Sequence, residues 1–367
     1  MNREIKIKSP ARINLIGEHI DYNGGYVLPA AIDLNISFHL KTNYTNICNI
    51  ESMGFGKFSL NLNNLQIESN QWKNYIIGVL FEIKKKNNSI GGFDCKIESN
   101  IPTGAGISSS AALECGLAFG LNELFDLNFS KIDLVKICRN AEHNFVGTKC
   151  GIMDQFSVIF GKKNKLMFLN CKTLESKLVN AVFEPYSIIL LNTNVSHNLA
   201  ESEYNNRRND CDDALNIINS KGFKFNDLCE IPVDILVSFK NKFNMKLYEK
   251  VEYVILENKR TITAAKHIEN NDLIQFGKLM YESHKGLREK YKVSCEELDF
   301  LVDLFKNNNK VIGSRMMGGG FGGSTINLVK TNYVKSFIGI SKKEYYNKFN
   351  MDLTPISAST SNGVEVL

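Results

Sequence analysis

FDCKIESNIPTGAGISSSAALECGLAFGLNEL, Phe93 to Leu124, joins three patterns in one run of chain. Phe93, Cys95 and Ile97 alternate with Asp94, Lys96 and Glu98, which predicts a half-buried strand. After Ser110, as far as Leu124, nearly every position is apolar, with Glu114, Asn122 and Glu123 as the exceptions, which predicts a helix buried on all sides. Between them lies PTGAGISSS, Pro102 to Ser110, where glycines lead straight into serines at a helix start. Serine is a good N-cap, and the plainer reading is a capped helix after a tight turn. Two glycines and three consecutive serines exceed what a cap needs. Free N–H groups and the helix dipole at such a start form a seat for an anion, so phosphate binding is the favoured reading. The loop lacks the lysine of GxxxxGK[ST], so phosphate charge must be offset by a metal or by another part of the chain.

Strand patterns dominate the rest of the first half. Ile5 and Ile7 alternate with lysines, Ile36, Phe38 and Leu40 with Ser37 and His39, and further strands are expected at Lys165–Leu169 and Ser187–Asn192. A helix is expected from Ile132 to Phe145, and helical patterns over Arg207–Asn219, Val251–Glu269 and Leu273–Lys290 dominate the second half. The chain then closes on the alternating strand STINLVK. This order predicts an α+β protein of two lobes, divided near residue 180. The 367 residues are enough for two such units.

Composition removes several classes of function. The net charge of +5 is spread along the chain, its longest basic run being Lys84 to Lys86, and no basic stripe is interleaved with aromatics. Nucleic acid is therefore not an expected partner. No apolar run approaches a membrane span, and MNREIKIKSP carries no secretory core, so neither membrane nor export is expected. Nine scattered cysteines with no CxxC pair fit reduced thiols in the cytoplasm.

Two further stretches carry chemistry. GGGFGG, Gly318 to Gly323, formally satisfies GxGxxG, but a strand pattern follows it rather than a helix. It reads as a turn whose backbone closely approaches another loop or a ligand. NLIGEHIDYNGG, Asn14 to Gly25, crowds Glu18, His19 and Asp21 into four positions, with Arg12 just upstream. Asp21-Tyr-Asn-Gly is also an ordinary turn sequence, so a capping cluster and a polar binding loop both remain open.

Taken together, ARINLIGEHIDYNGGYVLPAAI, PTGAGISSSAA and RMMGGGFGGSTINLV resemble the three motifs of the GHMP kinases, a family of small-molecule kinases, and most of all its galactose-phosphorylating branch. AEHNFVGTKCGIMDQF, NTNVSHNLAESEYNNRR and ESHKGLREKYKVSCEELDFLV extend the resemblance over nearly the whole chain. One departure is Ala11, where the family usually has glycine. The resemblance implies an N-terminal lobe, 1–180, like domain 2 of ribosomal protein S5. It implies a ferredoxin-like α/β C-terminal lobe, 181–367, with the active site between them. It implies transfer of a phosphoryl group from ATP, with Mg²⁺, to the C1 hydroxyl of galactose, giving α-galactose 1-phosphate and ADP in a monomeric cytoplasmic enzyme. Alternatives are a C1 kinase for N-acetylgalactosamine or another galactose-like sugar, and a non-catalytic galactose sensor. The intact SSSAA stretch, Arg12 and Asp154 speak against the sensor.

Residue by residue, the resemblance gives Asp154 the role of base and Arg12 that of holding the moving phosphoryl or its acceptor. Glu18, His19 and Asp21 would hydrogen-bond the sugar, the Gly151 backbone would approach it, and Tyr204 would line its pocket. Gly104, Ala105, Gly106, Ile107, Ser108, Ser109 and Ser110 would hold the triphosphate. Trp72 and Tyr75 would flank the adenine, and Ser110 with Glu142 would ligate the metal. Each has a plainer reading. Arg12 could form an ordinary salt bridge to Glu18 or Asp154, and Glu142 could pair with Arg139 three residues away. Trp72 and Tyr75 could be core, and Tyr204 an ordinary aromatic at a helix start.

Overall fold

The computed structural model describes residues 3–87, 89–196 and 200–367. Its strands are β1 (Glu4–Asn14), β2 (Tyr26–Val27), β3 (Pro29–Thr42), β4 (Ile47–Ser52), β5 (Gly56–Asn61), β6 (Phe93–Ser99), β7 (Lys165–Asn170), β8 (Ser176–Asn180), β9 (Tyr186–Ser196), β10 (Val311–Met317), β11 (Gly322–Lys330), β12 (Thr354–Ser357) and β13 (Glu365–Val366). Its helices are α1 (Gln71–Lys86), α2 (Ser109–Leu124), α3 (Lys131–Ala141), α4 (Met153–Phe160), α5 (Ala200–Asn219), α6 (Val233–Ser238), α7 (Met245–Glu269), α8 (Leu273–Gly286), α9 (Glu296–Leu304) and α10 (Val334–Phe349). The α+β expectation holds.

A first sheet has the order β13-β1-β3-β6-β4-β5, a second β10-β11-β9-β12, and a third, small one β2-β7-β8. Of the strand pairs, β4 with β6 is parallel and the others antiparallel. The alternation at Phe93–Glu98 becomes strict in–out burial along β6. The all-apolar helix α2 lies against β1 and β3, where Gly116 and Gly120 let Phe38 and Leu40 close on the helix backbone. A Cβ at Gly116 would come within 2.2 Å of the Phe38 ring. The last residues return to the first sheet: Ile7 and Lys8 pair with Val366 and Glu365.

Two expected helices end earlier than their periodicity suggests. The run through Phe145 is regular only to Ala141, and Glu142–Val146 forms one wider π turn. The run through Lys290 likewise passes into a π turn at Leu287–Tyr291. Such turns break the regular ladder and often mark functional positions. Glu142 is the first residue of the first one.

Candidate active site

The loop from Gly104 to Ser110 wraps the start of α2. Gly104 and Gly106 both have positive φ, +71° and +69°, and an added Cβ on Gly104 would meet nothing within 4 Å, so its backbone faces open space. Ser108 occupies the N-cap place but has φ 56° and makes no side-chain capping bond. Its hydroxyl instead donates to Asp154 Oδ2. The serine expected to cap is thus spent across the cleft. Arg12, Tyr75, Asp154 and Gly319 complete this cavity with the loop.

The second glycine loop packs on the first. Gly318, at φ +83°, would put a Cβ within 3.0 Å of the Gly106 carbonyl, and the Ser324 hydroxyl donates to Ala105 O at 2.6 Å. The close approach expected for GGGFGG is therefore to another loop. That contact also brings Gly318 and Gly319 to the wall of a second cavity.

This second cavity is small and polar. Arg12, Glu18, His19, Asp21, Glu142, Gly151, Asp154 and Tyr204 line it together with Gly318 and Gly319. Arg12, Asp154 and Gly319 belong to both cavities. The Arg12–Asp154 pair therefore stands where they meet. Arg12 Nε donates to Asp154 Oδ1 at 2.7 Å, one terminal nitrogen to Oδ2 at 2.8 Å, and the other to Gly106 O at 2.8 Å. This fork geometry ties strand β1, helix α4 and the glycine loop to one guanidinium. Burial alone would lower the Arg12 pKa, but the adjoining Asp154 carboxylate raises it, so the guanidinium stays charged.

Asp21 sits against Gly151, where any Cβ would strike its carboxylate at 1.9 Å. Glycine at 151 is required by that contact. Burial first, then the nearby Asp154 and Glu18, pushes the Asp21 carboxyl up to about 7. The folded chain therefore holds a proton here that the unfolded chain releases near pH 4. Stability linked to Asp21 is full below about pH 4 and is lost as pH rises through about 7. Replacing Asp21 by asparagine is expected to flatten that fall, read as a smaller drop in Tm between about pH 5 and pH 8.5. An unchanged pH slope would contradict the assignment.

His19 has φ 61° and lines the cavity with its ring. Its nitrogens are already engaged: Nε2 donates to Gly319 O at 3.1 Å, so Nδ1 accepts from the Tyr22 hydroxyl at 2.8 Å. Tyr291 continues the chain to Tyr22 at 2.7 Å. Burial lowers the His19 pKa to about 4, so the ring is neutral. What it offers the cavity is a fixed ring face, set 5.3 Å from the ring of Tyr204.

Glu142 is buried, and one carboxylate oxygen accepts from Gln155 Nε2 at 2.8 Å. The Cys150 thiol donates to the same oxygen at 3.4 Å, and Ser110 lies near enough to act on its charge. Burial, then Asp154, raises its pKa to about 7. Among the described residues Arg139 makes no ion pair, so the plainer reading of Glu142 as its partner is not met. Among the described residues no group of three or more His, Cys, Asp or Glu side chains could hold a metal. A hydroxyl and a carboxylate held together beside a phosphate seat, the carboxylate crowded by another acid, nevertheless suit a small oxygen-loving cation that keeps several waters.

One of the expected residues, Trp72, is placed apart from the rest. Tyr75 lines the loop cavity, but Trp72 packs on Phe55 and Phe58, with ring centroids 5.7 and 5.1 Å away. Three buried residues escaped the sequence reading. Arg315 is fully buried on β10 and donates to the Leu15, Met316 and Asn14 carbonyls and to Glu18 Oε1 at 2.9 Å. Gly318 N donates to the same Glu18 oxygen at 2.9 Å. Glu114 on α2 and Gln155 on α4 lie behind Glu142. The available signal was a charged or amide residue inside an otherwise apolar run, at Arg315 in VIGSRMM and at Glu114 in SSAALECG.

The comparisons with known proteins agree with this geometry. A model of the GHMP kinase N-terminal domain matches residues 74–162, and one of the GHMP kinase C-terminal domain matches 264–338. The class defined by fold and site is the GHMP kinases. A model of the galactokinase galactose-binding signature matches residues 2–41. The galactokinase of Thermosipho africanus is 41% identical over 98% of this chain and 99% of its own. That of Clostridium beijerinckii is 40% identical over 97% and 92%. The crystal structure of Lactococcus lactis galactokinase complexed with galactose superposes with a TM-score of 0.96 at 32% identity, covering 100% of this chain and 95% of the other. Methanococcus jannaschii mevalonate kinase shares the fold, with a TM-score of 0.67 at 20% identity. The chain belongs to the galactokinase family of the GHMP kinases.

Proposed function

We infer that this chain phosphorylates galactose with ATP, and that the reacting hydroxyl is the one on C1. The observation that carries this reading is the junction: Arg12 and Asp154, bonded to each other, border both the polar cavity and the glycine–serine loop. A hydroxyl held at Asp154 would face a phosphate held by the loop. Phosphoryl transfer runs through a loose transition state, so catalysis here is mostly alignment and charge offset. Asp154 orients the attacking hydroxyl and takes its proton late in the transfer. Arg12 offsets charge on the moving phosphoryl.

In the sugar cavity Asp21 and the free side of Glu18 are acceptors for sugar hydroxyls, and the Gly151 backbone admits the ring. Tyr204 and the face of His19 supply walls. The loop Gly104–Ser110 holds the triphosphate by its N–H groups, with Tyr75 on the adenine side. Ser110 and Glu142 would hold Mg²⁺, which offsets charge on the β- and γ-phosphates when bound. Division into lobes near residue 180, action as a monomer and a cytoplasmic location belong to the same reading.

The test is the product. Incubation with ATP and galactose, followed by ³¹P and ¹H NMR, is expected to give α-galactose 1-phosphate. Phosphate on another carbon, or binding of both substrates without turnover, would refute it. Glu142→Ala is expected to raise the Mg²⁺ concentration needed for half-maximal rate by about tenfold or more. An unchanged metal requirement would remove Glu142 from the metal seat.

A further inference from the structure

Glu114 lies one helical turn beyond Ser110 on α2, on the same face, and is fully buried. Both of its carboxyl oxygens are buried without a hydrogen-bond partner. Two other acids, Glu142 and Asp154, lie close enough to act on its charge. A bare carboxylate in that place would bear the full cost of desolvation with no compensating bond. Gln155, fully buried on α4, is its neighbour. The amide nitrogen of Gln155 donates to Glu142 Oε2 at 2.8 Å, while its Oε1 is buried and unpartnered.

These three buried acceptor atoms make no hydrogen bond, and the Gln155 side chain lies close enough to Glu114 to act on its charge. One hydrogen on Glu114 changes the count, because a carboxylic acid is a donor as well as an acceptor. We propose that Glu114 is a neutral carboxylic acid whose O–H donates to Gln155 Oε1, fixing the amide so that its NH₂ aims at Glu142. Glu114 is then a positioning residue: it acts through Gln155 on the carboxylate that faces the phosphate loop. Burial and the two neighbouring acids push its carboxyl well above the usual carboxylate range, in keeping with the neutral form. An apolar side chain would fill the same space without needing a partner, so the acid has to be explained by its bond. The proposal rests on Glu142 as the metal carboxylate.

The experiment uses the full chain and the variants Glu114→Gln and Glu114→Met. Isotope-edited infrared spectroscopy of the metal-free protein is expected to show the C=O stretch of a protonated carboxyl that vanishes in Glu114→Gln. Glutamine keeps a donor at this position and is expected to leave the half-saturating Mg²⁺ concentration within about twofold. Methionine keeps the volume but supplies no donor, and is expected to raise that concentration about tenfold, the scale of lost outer-shell support, with the galactose KM unmoved. Absence of the band, glutamine behaving like methionine, or methionine leaving the Mg²⁺ response unchanged would each overturn the proposal. Should Glu114→Met not fold, the band and the glutamine variant still decide. Glu142→Ala in the same titration separates the two readings. If it leaves the Mg²⁺ requirement unchanged, the metal reading fails and this proposal with it. If it raises the requirement while Glu114→Met does not, the proposal alone fails.

Discussion

Asp154→Asn is expected to keep galactose bound and to lower kcat by about 10²–10⁴-fold, the usual span for a positioned acid–base group. Asparagine has the same size, so the cavity keeps its shape. It lacks the charge that Arg12 grips through both oxygens at 2.7 and 2.8 Å, and it cannot take the proton of the attacking hydroxyl. Both losses act at the junction of the two cavities. Asp21 and Gly151 keep their own contact in the same cavity. The effect should therefore appear in kcat far more than in the galactose KM. Steady-state kinetics together with direct galactose binding by calorimetry check it. Near-normal kcat would remove Asp154 from the reaction.

The second large effect is expected at Arg315. Its guanidinium is fully buried and makes four bonds, three to carbonyls and one to Glu18. Arg315→Met leaves the Glu18 carboxylate buried with the Gly318 N–H as its remaining bond. Breaking one side of a buried ion pair typically costs about 3–5 kcal/mol. The same change releases Glu18 within the sugar cavity, so the galactose KM should rise while the ATP KM moves little. Arg315→Lys restores charge but not the planar fork, and should fall between the two. Urea unfolding and the two KM values measure this. A methionine variant as stable as the parent would show that the clamp contributes nothing.

Much of the architecture was legible before any coordinates, because the patterns were strong. The alternation of β6 and the unbroken apolar character of α2 left little choice of element, and the two glycine runs marked the turns between elements. The site was legible in its parts: Arg12, Asp21, Asp154 and the loop Gly104–Ser110 all line one of two adjoining cavities. Spacing could not show that Ser108 turns from capping to Asp154, since that depends on where α4 lies in space. Nor could it show that both His19 nitrogens are engaged, because the partners are Gly319, 300 residues on, and Tyr22. Arg315 and Glu114 escaped for one physical reason. A polar residue in an apolar run carries a role only through its partners, and those partners come from distant segments. The resemblance pairs Trp72 with Tyr75, but one aromatic reaches the loop cavity while the other packs on β5 and the turn before it.

The central claim is tested most directly by a crystal structure of the chain with galactose, a non-hydrolysable ATP analogue and Mg²⁺. The account predicts the C1 hydroxyl within hydrogen-bond reach of Asp154, pointing at the terminal phosphate held over Gly104–Ser110. A sugar seated with C1 turned away from Asp154, or a triphosphate lying outside that loop, would contradict it.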